Sequence, residues 1–236
     1  MIVVTGAASG IGAGVTDRLA STGHQVVALD RQWDDDAPRP GVKRWTVDVA
    51  DADAMQLCFD QACAPESPVT GLVCAAGVQH RSPTISLSSA DWHRVLSVHL
   101  DGSLFACQLA AARMTNGGSI VLFSSVAERF GWPERAAYAV AKAGLSALAR
   151  TLAVEWTDRN IRVNSVALGY VDTPLIASAR ERGELTGDPE SLHAIGRMAT
   201  VAEIVGPIEF LLGECSSFVT GSTFAIDGGY SVFKAR

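Results

Sequence analysis

The sequence has 236 residues, 48% of them hydrophobic, and a formal net charge of -6 at pH 7. This length buries a full core and fits one large α/β domain as well as two small ones. The acidic balance argues against nucleic acid or an anionic membrane as a partner. The five cysteines form no CxxC pair, no basic leader precedes the first apolar strand, and no apolar run approaches membrane-spanning length. We therefore expect a cytoplasmic protein without a metal site.

The first predicted strand runs directly into the glycine-rich segment TGAASGIG. Gly6, Gly10 and Gly12 suit a tight turn, a close approach of the backbone to phosphate, and close packing of a helix on a strand. An amphipathic stretch follows as far as Ser21. A helix that begins here directs free N–H groups and the positive end of its dipole at an anion. The segment therefore predicts a dinucleotide phosphate site.

The second and third predicted strands each end in an aspartate. HQVVALDR ends at Asp30, eighteen residues past Gly12, a spacing that suits a carboxylate bound to the adenosine ribose. The alternative is that Asp30 only caps a turn. The segment 32–41 looks too irregular for the usual crossover helix. KRWTVDV ends at Asp48, which either reaches the adenine amino group or has only a turn role.

Helices and strands alternate through the rest of the chain, which predicts one doubly wound α/β domain over 1–236 with residues 172–199 as a polar, irregular substrate lid. The remaining predicted elements are a helix over 52–62, the strand TGLVCAAG, a long helix from the capping pair Ser88 and Asp91 to about Arg113, the strand GGSIVLFSS, a helix from about Ala136 to Thr157, the strand IRVNSVALG, a helix from the capping box Thr200 and Glu203 to about Leu212, and the strand STFAI.

Three side chains could together form a proton-transfer site. Tyr138 and Lys142 stand four residues apart and share one helix face, and Ser125 ends the fifth strand. Free tyrosine titrates near 10, and lowering its pKa by about 3 units takes roughly 4 kcal/mol. One ammonium at about 4 Å supplies about that much at an effective dielectric near 20. Lys142 could therefore make Tyr138 a usable acid or base while Ser125 holds the reacting oxygen. Alone, a YxxxK pair is usually a surface pair.

These residues resemble the short-chain dehydrogenase/reductase family over essentially the whole chain. TGAASGIG is similar to its cofactor loop, CAAG at 74–77 to its NNAG-like strand end, and Ser125, Tyr138 and Lys142 to its catalytic set. RVNSVALG resembles its RVNxVxPG strand with Leu168 in place of proline, and DGG at 227–229 resembles its carboxyl-terminal signature. The resemblance implies a Rossmann-type parallel sheet with helices on both faces. It also implies a nicotinamide cofactor, hydride transfer between an alcohol and a ketone, and a homotetramer or dimer built on the two long helices.

The resemblance also implies a role for each site residue. Tyr138 exchanges the proton of the substrate hydroxyl, Ser125 steadies the developing oxyanion, and Lys142 binds the nicotinamide ribose and lowers the pKa of Tyr138. Asp30 favours NAD over NADP. The residues expected to bind the cofactor are Gly6, Ser9, Gly10, Ile11, Gly12, Asp30, Arg31, Asp48, Val49, Ala75, Ala76, Gly77, Tyr138, Lys142, Gly169, Val171 and Thr173.

His99 is the main departure from the family pattern. The family usually has asparagine in a VNLxGxF segment, and this sequence reads VHLDGSLF. That asparagine is thought to hold a water that links the lysine to solvent. Histidine also has a donor and an acceptor nitrogen and could hold a similar water as part of the catalytic set. The alternative is that His99 only packs between helices.

The sequence says less about the substrate. The short connection after Asp30 is loosely similar to that of family members that oxidise cyclic dihydrodiols. Arg81, Arg129 or Arg135 could bind a substrate carboxylate, although surface arginines usually have no such role. The expected pocket wall consists of the lid and of Gln79, His80, Arg81, Glu128 and Trp132.

Two other functions stay open. One is an NADP-linked ketoreductase for 3-oxoacyl-carrier substrates, against which stand Asp30 and the absence of Lys or Arg within TGAASGIG. The other is a non-catalytic nucleotide-binding protein on the same fold, against which stands the presence of Ser125, Tyr138 and Lys142 together.

Overall fold

The computed structural model describes residues 1–34, 39–63, 67–185 and 187–233. At its centre is a seven-stranded parallel sheet in the order β3-β2-β1-β4-β5-β6-β7. The strands are β1 (Ile2–Thr5), β2 (Val26–Asp30), β3 (Val42–Thr46), β4 (Gly71–Cys74), β5 (Gly118–Ser125), β6 (Ile161–Leu168) and β7 (Thr223–Ile226). All seven predicted strands and the predicted fold class are confirmed. The strand order reverses between β1 and β4, where open α/β sheets leave a crevice at their carboxyl edge.

Helices cover both faces of this sheet. They are α1 (Gly10–Ser21), α2 (Ala52–Ala62), α3 (Ser89–Leu96), α4 (Gly102–Arg113), α5 (Ala136–Glu155), α6 (Pro174–Glu181) and α7 (Val201–Leu212). Successive strand residues point to opposite faces. Val3 therefore packs in the core that α2, α4 and α5 share, whereas Val4 packs in the core beneath α1 and α7. Both faces of the central strands are buried, as their continuous apolar runs predict.

The long helix predicted to start at Ser88 is interrupted in its middle. The Ser88 hydroxyl accepts a hydrogen bond from the Asp91 N–H (3.0 Å), as expected of the cap. A π-helical turn over Ser97–Asp101 separates α3 from α4, and the Gly102 N–H donates to the carbonyl of Ser97. The whole segment Ser89–Arg113 has the length and hydropathy of a membrane span, which corrects the expectation that no segment does. In this fold α4 buries its small side chains in the core beside the sheet.

The proposed lid segment contains a helix, so the prediction that 172–199 is irregular throughout was wrong. Thr173 and Pro174 provide a favourable helix start, and Ile176 and Ala179 are buried one turn apart on one face of α6. The segment 32–41 has no helix in its described part, and residues 35–38 lie outside the described ranges. The capping box before α7 is present, with the Thr200 N–H donating to the Glu203 carboxylate (2.9 Å).

Candidate active site

Two adjoining cavities open at the carboxyl edge of the sheet. The glycine-rich loop, Asp30 and Asp48 line the first cavity, and Ser125, Tyr138 and Lys142 line the second. Residues common to both walls make the two cavities continuous: Ile11, Ala75, Gly77, Val78, Phe123, Thr173 and Leu175. Each of the seventeen residues predicted to bind the cofactor lines one cavity or the other.

The glycine-rich loop is shaped by close backbone contacts. Gly6 has φ +67, and a Cβ added to it would lie 2.6 Å from the Ala76 nitrogen at the end of β4. A Cβ on Gly12 would lie 2.0 Å from the carbonyl oxygen of Gly6. Both positions therefore require glycine. Because α1 begins at Gly10, its free N–H groups face the first cavity, and this arrangement fits a dinucleotide phosphate group.

Asp30 and Asp48 both hold backbone N–H groups while lining the first cavity. The Asp30 carboxylate accepts from the N–H of Ala8 (2.9 Å) in the glycine-rich loop and from that of Arg31 (2.8 Å). Asp48 accepts from the Ala50 N–H (2.9 Å). The turn roles are therefore real for both residues. They leave the cofactor roles possible, because a carboxylate offers about four acceptor sites.

The second cavity brings Ser125, Tyr138 and Lys142 together. Ser125 ends β5, is 5% exposed, and accepts from the Ala127 N–H (3.2 Å). Tyr138 and Lys142 lie on the first turns of α5, and the Lys142 ammonium is 5.4 Å from the centroid of the Tyr138 ring. The expected convergence of the three side chains from two elements is thus observed.

The pKa of Tyr138 does not follow the prediction from the sequence, in which Lys142 lowers it. Burial raises the pKa of Tyr138, and a hydrogen bond with Ser125 and the charge of Arg135 oppose that rise. Burial lowers the pKa of Lys142 to about 7, and its ammonium donates to the carbonyl of Phe123 (2.7 Å). Lys142 does not lower the pKa of Tyr138 below its ordinary value in this arrangement, because desolvation of the phenol outweighs the charges around it.

His99 lies in the π-helical turn and is 2% exposed. Its Nε2 contacts the backbone of Val78 (2.8 Å to the carbonyl oxygen), and its ring meets the Tyr138 ring edge-on at 5.6 Å. Burial, reinforced by the charge of Lys142, lowers the pKa of His99 to about 3, so the ring is neutral. Its Nδ1 is buried without a partner among the described residues. The ring both packs between elements and keeps one nitrogen available to a water or ligand.

The substrate wall differs in part from the prediction. Gln79 and Trp132 line the second cavity. Arg81, which pairs with Glu134, does not, and neither do His80 and Glu128. His80 is turned towards α3, where Asp91 lies 3.6 Å away. Glu128 accepts hydrogen bonds from the hydroxyls of Ser124 and Ser146, which ties β5 to α5. Proximity to a motif in sequence did not reveal the direction of these two side chains.

Several wall residues were not predicted by name, and they lie after β4, on or just after β5, at the end of β6 and in the lid. Tyr170 follows Gly169 directly, and this position beside a predicted ligand residue was the only signal for it. These residues are Val78, Phe123, Ser124, Val126, Leu168, Tyr170, Leu175, Ile176 and Leu185.

The chain is similar to known proteins over nearly its whole length. A family model described as "Enoyl-(Acyl carrier protein) reductase" matches residues 6–231. A cis-4-hydroxycyclohexanecarboxylate dehydrogenase of Sinomonas cyclohexanicum is 37% identical over 239 residues, which cover 97% of this chain and 95% of the relative. The 3-oxoacyl-[acyl-carrier-protein] reductase MabA of Mycobacterium tuberculosis is 32% identical, with 97% of this chain and 91% of the relative covered.

A solved structure has the same fold. It is a 4-hydroxyisoleucine dehydrogenase complexed with NADH, which is 29% identical and superposes with a TM-score of 0.91. The superposition covers 99% of each chain.

Proposed function

The chain belongs to the short-chain dehydrogenase/reductase family, and we propose that it is an NAD-dependent enzyme that interconverts a secondary alcohol and a ketone. Membership makes it an oxidoreductase that uses a nicotinamide dinucleotide. The observation that carries the proposal is the convergence of Ser125, Tyr138 and Lys142 on a cavity continuous with the glycine-rich loop. The 4-hydroxyisoleucine and cis-4-hydroxycyclohexanecarboxylate dehydrogenases, named for hydroxylated substrates, support it.

The reaction divides between the cofactor and the protein. The nicotinamide ring of the cofactor supplies hydride transfer when it is bound. In the oxidative direction, the Tyr138 phenolate takes the proton of the substrate hydroxyl, and the Ser125 hydroxyl donates to the same oxygen. Lys142 provides positive charge beside Tyr138 and a donor for the nicotinamide ribose, with Gly169, Val171 and Thr173 lining the wall where the ring would lie. The ketone is the product, and Tyr138 passes its proton on to solvent.

We further propose the surroundings in which this reaction runs. Residues 1–236 form one catalytic domain, and 172–199 cover the substrate as a lid. The base of that segment is held to β6, since the Ala199 N–H donates to the Tyr170 carbonyl (3.0 Å) and the Asp172 N–H to the Ala199 carbonyl (2.8 Å). The protein is cytoplasmic and forms a homotetramer or dimer. Size-exclusion chromatography with light scattering would test the oligomeric state.

Two measurements separate the alternatives. A panel of secondary alcohols, sugar alcohols, cyclic diols and keto acids, followed by nicotinamide absorbance, tests for turnover and includes the dihydrodiol class that the loop after Asp30 resembles. No turnover of any member, with tight NAD binding, would favour a non-catalytic nucleotide-binding protein. Turnover of 3-oxoacyl thioesters with NADPH in preference to the alcohols with NAD would favour the ketoreductase, as the 32% identity to MabA allows.

Cofactor choice gives a first testable prediction. Asp30 should accept bonds from the ribose hydroxyls of NAD and repel the roughly two negative charges of a 2′-phosphate. We expect the parent to favour NAD by about thirty- to a thousandfold in kcat/KM, equivalent to roughly 2–4 kcal/mol. Asp30→Asn should lower the ratio of kcat/KM with NAD to that with NADP, while the asparagine oxygen still accepts from the Ala8 N–H. Asp30→Ala should narrow or reverse it, with Arg31 then contacting the phosphate.

The ratio matters more than the absolute rate in this comparison. Asp30→Ala leaves the Ala8 N–H without its acceptor, so the glycine-rich loop should loosen and both cofactors should bind less well. Adding Arg31→Ala to that variant should remove any gain with NADP. A parent enzyme with equal or better kcat/KM for NADP would show that Asp30 does not select NAD.

His99 gives a second prediction. Asparagine should be tolerated there, since the family resemblance expects it. Leucine removes both ring nitrogens, and we expect turnover to fall about tenfold if the unpartnered Nδ1 holds a relay water. The measurements are kcat across pH and the melting temperature. A leucine variant as active as the parent, with only its melting temperature changed, would mean that His99 serves packing alone.

A further inference from the structure

Arg135, the residue just before α5, carries a buried positive charge into the second cavity. Only 5% of the residue is exposed. Its guanidinium donates to the side-chain oxygen of Gln79 and to the backbone carbonyl of Glu184 (3.3 Å), and it lies over the Trp132 ring at 5.3 Å from the centroid. Among the residues that the structure describes, Arg135 forms no salt bridge. The neighbouring Arg81, Arg129 and Arg182 each form one. The hydrogen-bond acceptors of Arg135 are neutral, and the Glu184 carboxylate, which lies within range of its charge, is already paired with Arg182. A buried charge without an ion-pair partner of its own lacks the counter-charge that normally offsets its desolvation.

The Tyr170 hydroxyl is a second polar group of the same wall without a partner. Tyr170 is 7% exposed, and its hydroxyl is buried with no hydrogen-bond partner among the residues that the structure describes. Its ring meets Trp132 edge-on at 5.7 Å, so Tyr170 and Arg135 both contact the same indole. The charge of Arg135 also opposes the burial that raises the pKa of Tyr170, so the phenol lies within electrostatic range of the guanidinium. A donor left unsatisfied in this position is costly until an acceptor arrives.

The other two candidate arginines are already neutralised. Arg81 forms an ion pair with Glu134 and donates to the Glu184 carbonyl (2.8 Å). Arg129 pairs with Glu128 at 3.2 Å, its side chain is 55% exposed, and it does not line the cavity. Arg135 is thus the arginine of the three that combines burial, a place in the cavity wall and an unpaired charge.

We propose that Arg135 and Tyr170 form an anion subsite that binds the carboxylate of a hydroxy acid whose alcohol carbon lies at Tyr138. The inference rests on the proposed function for the reaction and adds the class of substrate. One guanidinium and one phenol match a single negative charge, and the planar fork of arginine matches a carboxylate. The neighbouring wall is apolar, with Val78, Leu175 and Ile176 among its residues. The subsite therefore fits a compact carbon skeleton with a carboxylate at one end and a secondary alcohol at the other.

A matched pair of substrates tests the subsite. With NAD, the parent should oxidise cis-4-hydroxycyclohexanecarboxylate with a kcat/KM at least about tenfold higher than that for the corresponding carboxamide, mostly through a lower KM. In Arg135→Gln the acid-to-amide ratio should fall to about one. Tyr170→Phe removes a single oxygen and leaves the lid contacts of Arg135 intact, and it should lower the ratio about three- to tenfold. Arg129→Gln, which changes an exposed arginine outside the cavity, should leave the ratio as it is.

Direct binding separates failure of this inference from failure of the proposed function. Cyclohexanecarboxylate lacks the hydroxyl, so its binding, measured by titration calorimetry with NADH present, does not depend on turnover. The subsite would be supported if the parent binds cyclohexanecarboxylate more tightly than cyclohexanecarboxamide and Arg135→Gln loses that preference. This holds even if neither hydroxylated probe reacts, and the lack of reaction would then count against the proposed function alone. A parent ratio of one, equal loss of acid and amide activity in Arg135→Gln, or no preferential binding of the carboxylate would each overturn the subsite. Equal loss would mean that Arg135 only holds the lid through Glu184.

Discussion

Replacing Tyr138 by phenylalanine should reduce turnover about a thousandfold while leaving cofactor affinity nearly unchanged. The substitution keeps the ring that packs against His99 and removes only the phenol oxygen. Without that oxygen, no side chain in the cavity wall is expected to take the hydroxyl proton at the reacting carbon. Cofactor affinity should hold because Tyr138 lies in the second cavity, away from the glycine-rich loop that fits the phosphates.

The measurements are kcat in both directions and the dissociation constant of NADH by fluorescence. Tyr230→Phe is the matched control, since it also removes a phenol oxygen. The Tyr230 ring packs on His193 and Phe130 and lines neither cavity. Because burial raises the pKa of Tyr138, alcohol oxidation by the parent should still be rising above neutral pH. Turnover of the Phe variant within tenfold of the parent would remove Tyr138 from the role of acid and base.

Replacing Lys142 by alanine should reduce turnover about a hundred- to a thousandfold and also weaken cofactor binding. The change removes a positive charge beside Tyr138 and the donor proposed for the nicotinamide ribose. The pH at which alcohol oxidation reaches half its maximum should change little, because burial lowers the pKa of Lys142 to about 7 and leaves the side chain largely neutral where Tyr138 ionises. Lys43→Ala, on the exposed side of β3, is the control that removes an ammonium far from the site.

The same variant should change how stability depends on pH. In the folded protein burial lowers the pKa of Lys142 from 10.5 to about 7. Between these values the unfolded chain binds more protons than the folded one, so the parent gains stability as pH rises from about 7 towards 10.5. That contribution should be absent in Lys142→Ala, seen as a flatter curve of unfolding free energy against pH. Unchanged turnover, cofactor affinity and stability slope would leave Lys142 without either role.

The backbone part of the site was the most predictable from sequence. Gly6 and Gly12 make backbone contacts that leave no room for a Cβ, so the spacing of the glycines indicates the turn directly. Asp30 follows because a strand of known length delivers its last residue to the sheet edge. The strands themselves were found because buried parallel strands are runs of β-branched and apolar residues.

The direction of side chains and the balance of electrostatic effects were less predictable. Glu128 was expected in the substrate wall, but two serine hydroxyls on β5 and α5 hold it elsewhere. Tyr170 was missed because its burial depends on the lid, a segment that was expected to be irregular. The pKa of Tyr138 depends on how much water the folded wall excludes, and the four-residue spacing to Lys142 carries no information about that.

The π-helical turn at Ser97–Asp101 sets the rotational phase of everything after it on the long helix. Each residue of an α-helix advances the side-chain direction by about 100°, and a π turn accommodates one residue more than an α turn. Removing one residue between Ser97 and Asp101 would make the helix regular and rotate α4 by roughly 100° about its axis. Ala106 and Ala110 would then leave the core, and a wider side chain would face the sheet. The turn that carries His99 thus lets a single helix bury Val95 against α5 and the small residues of α4 against the sheet.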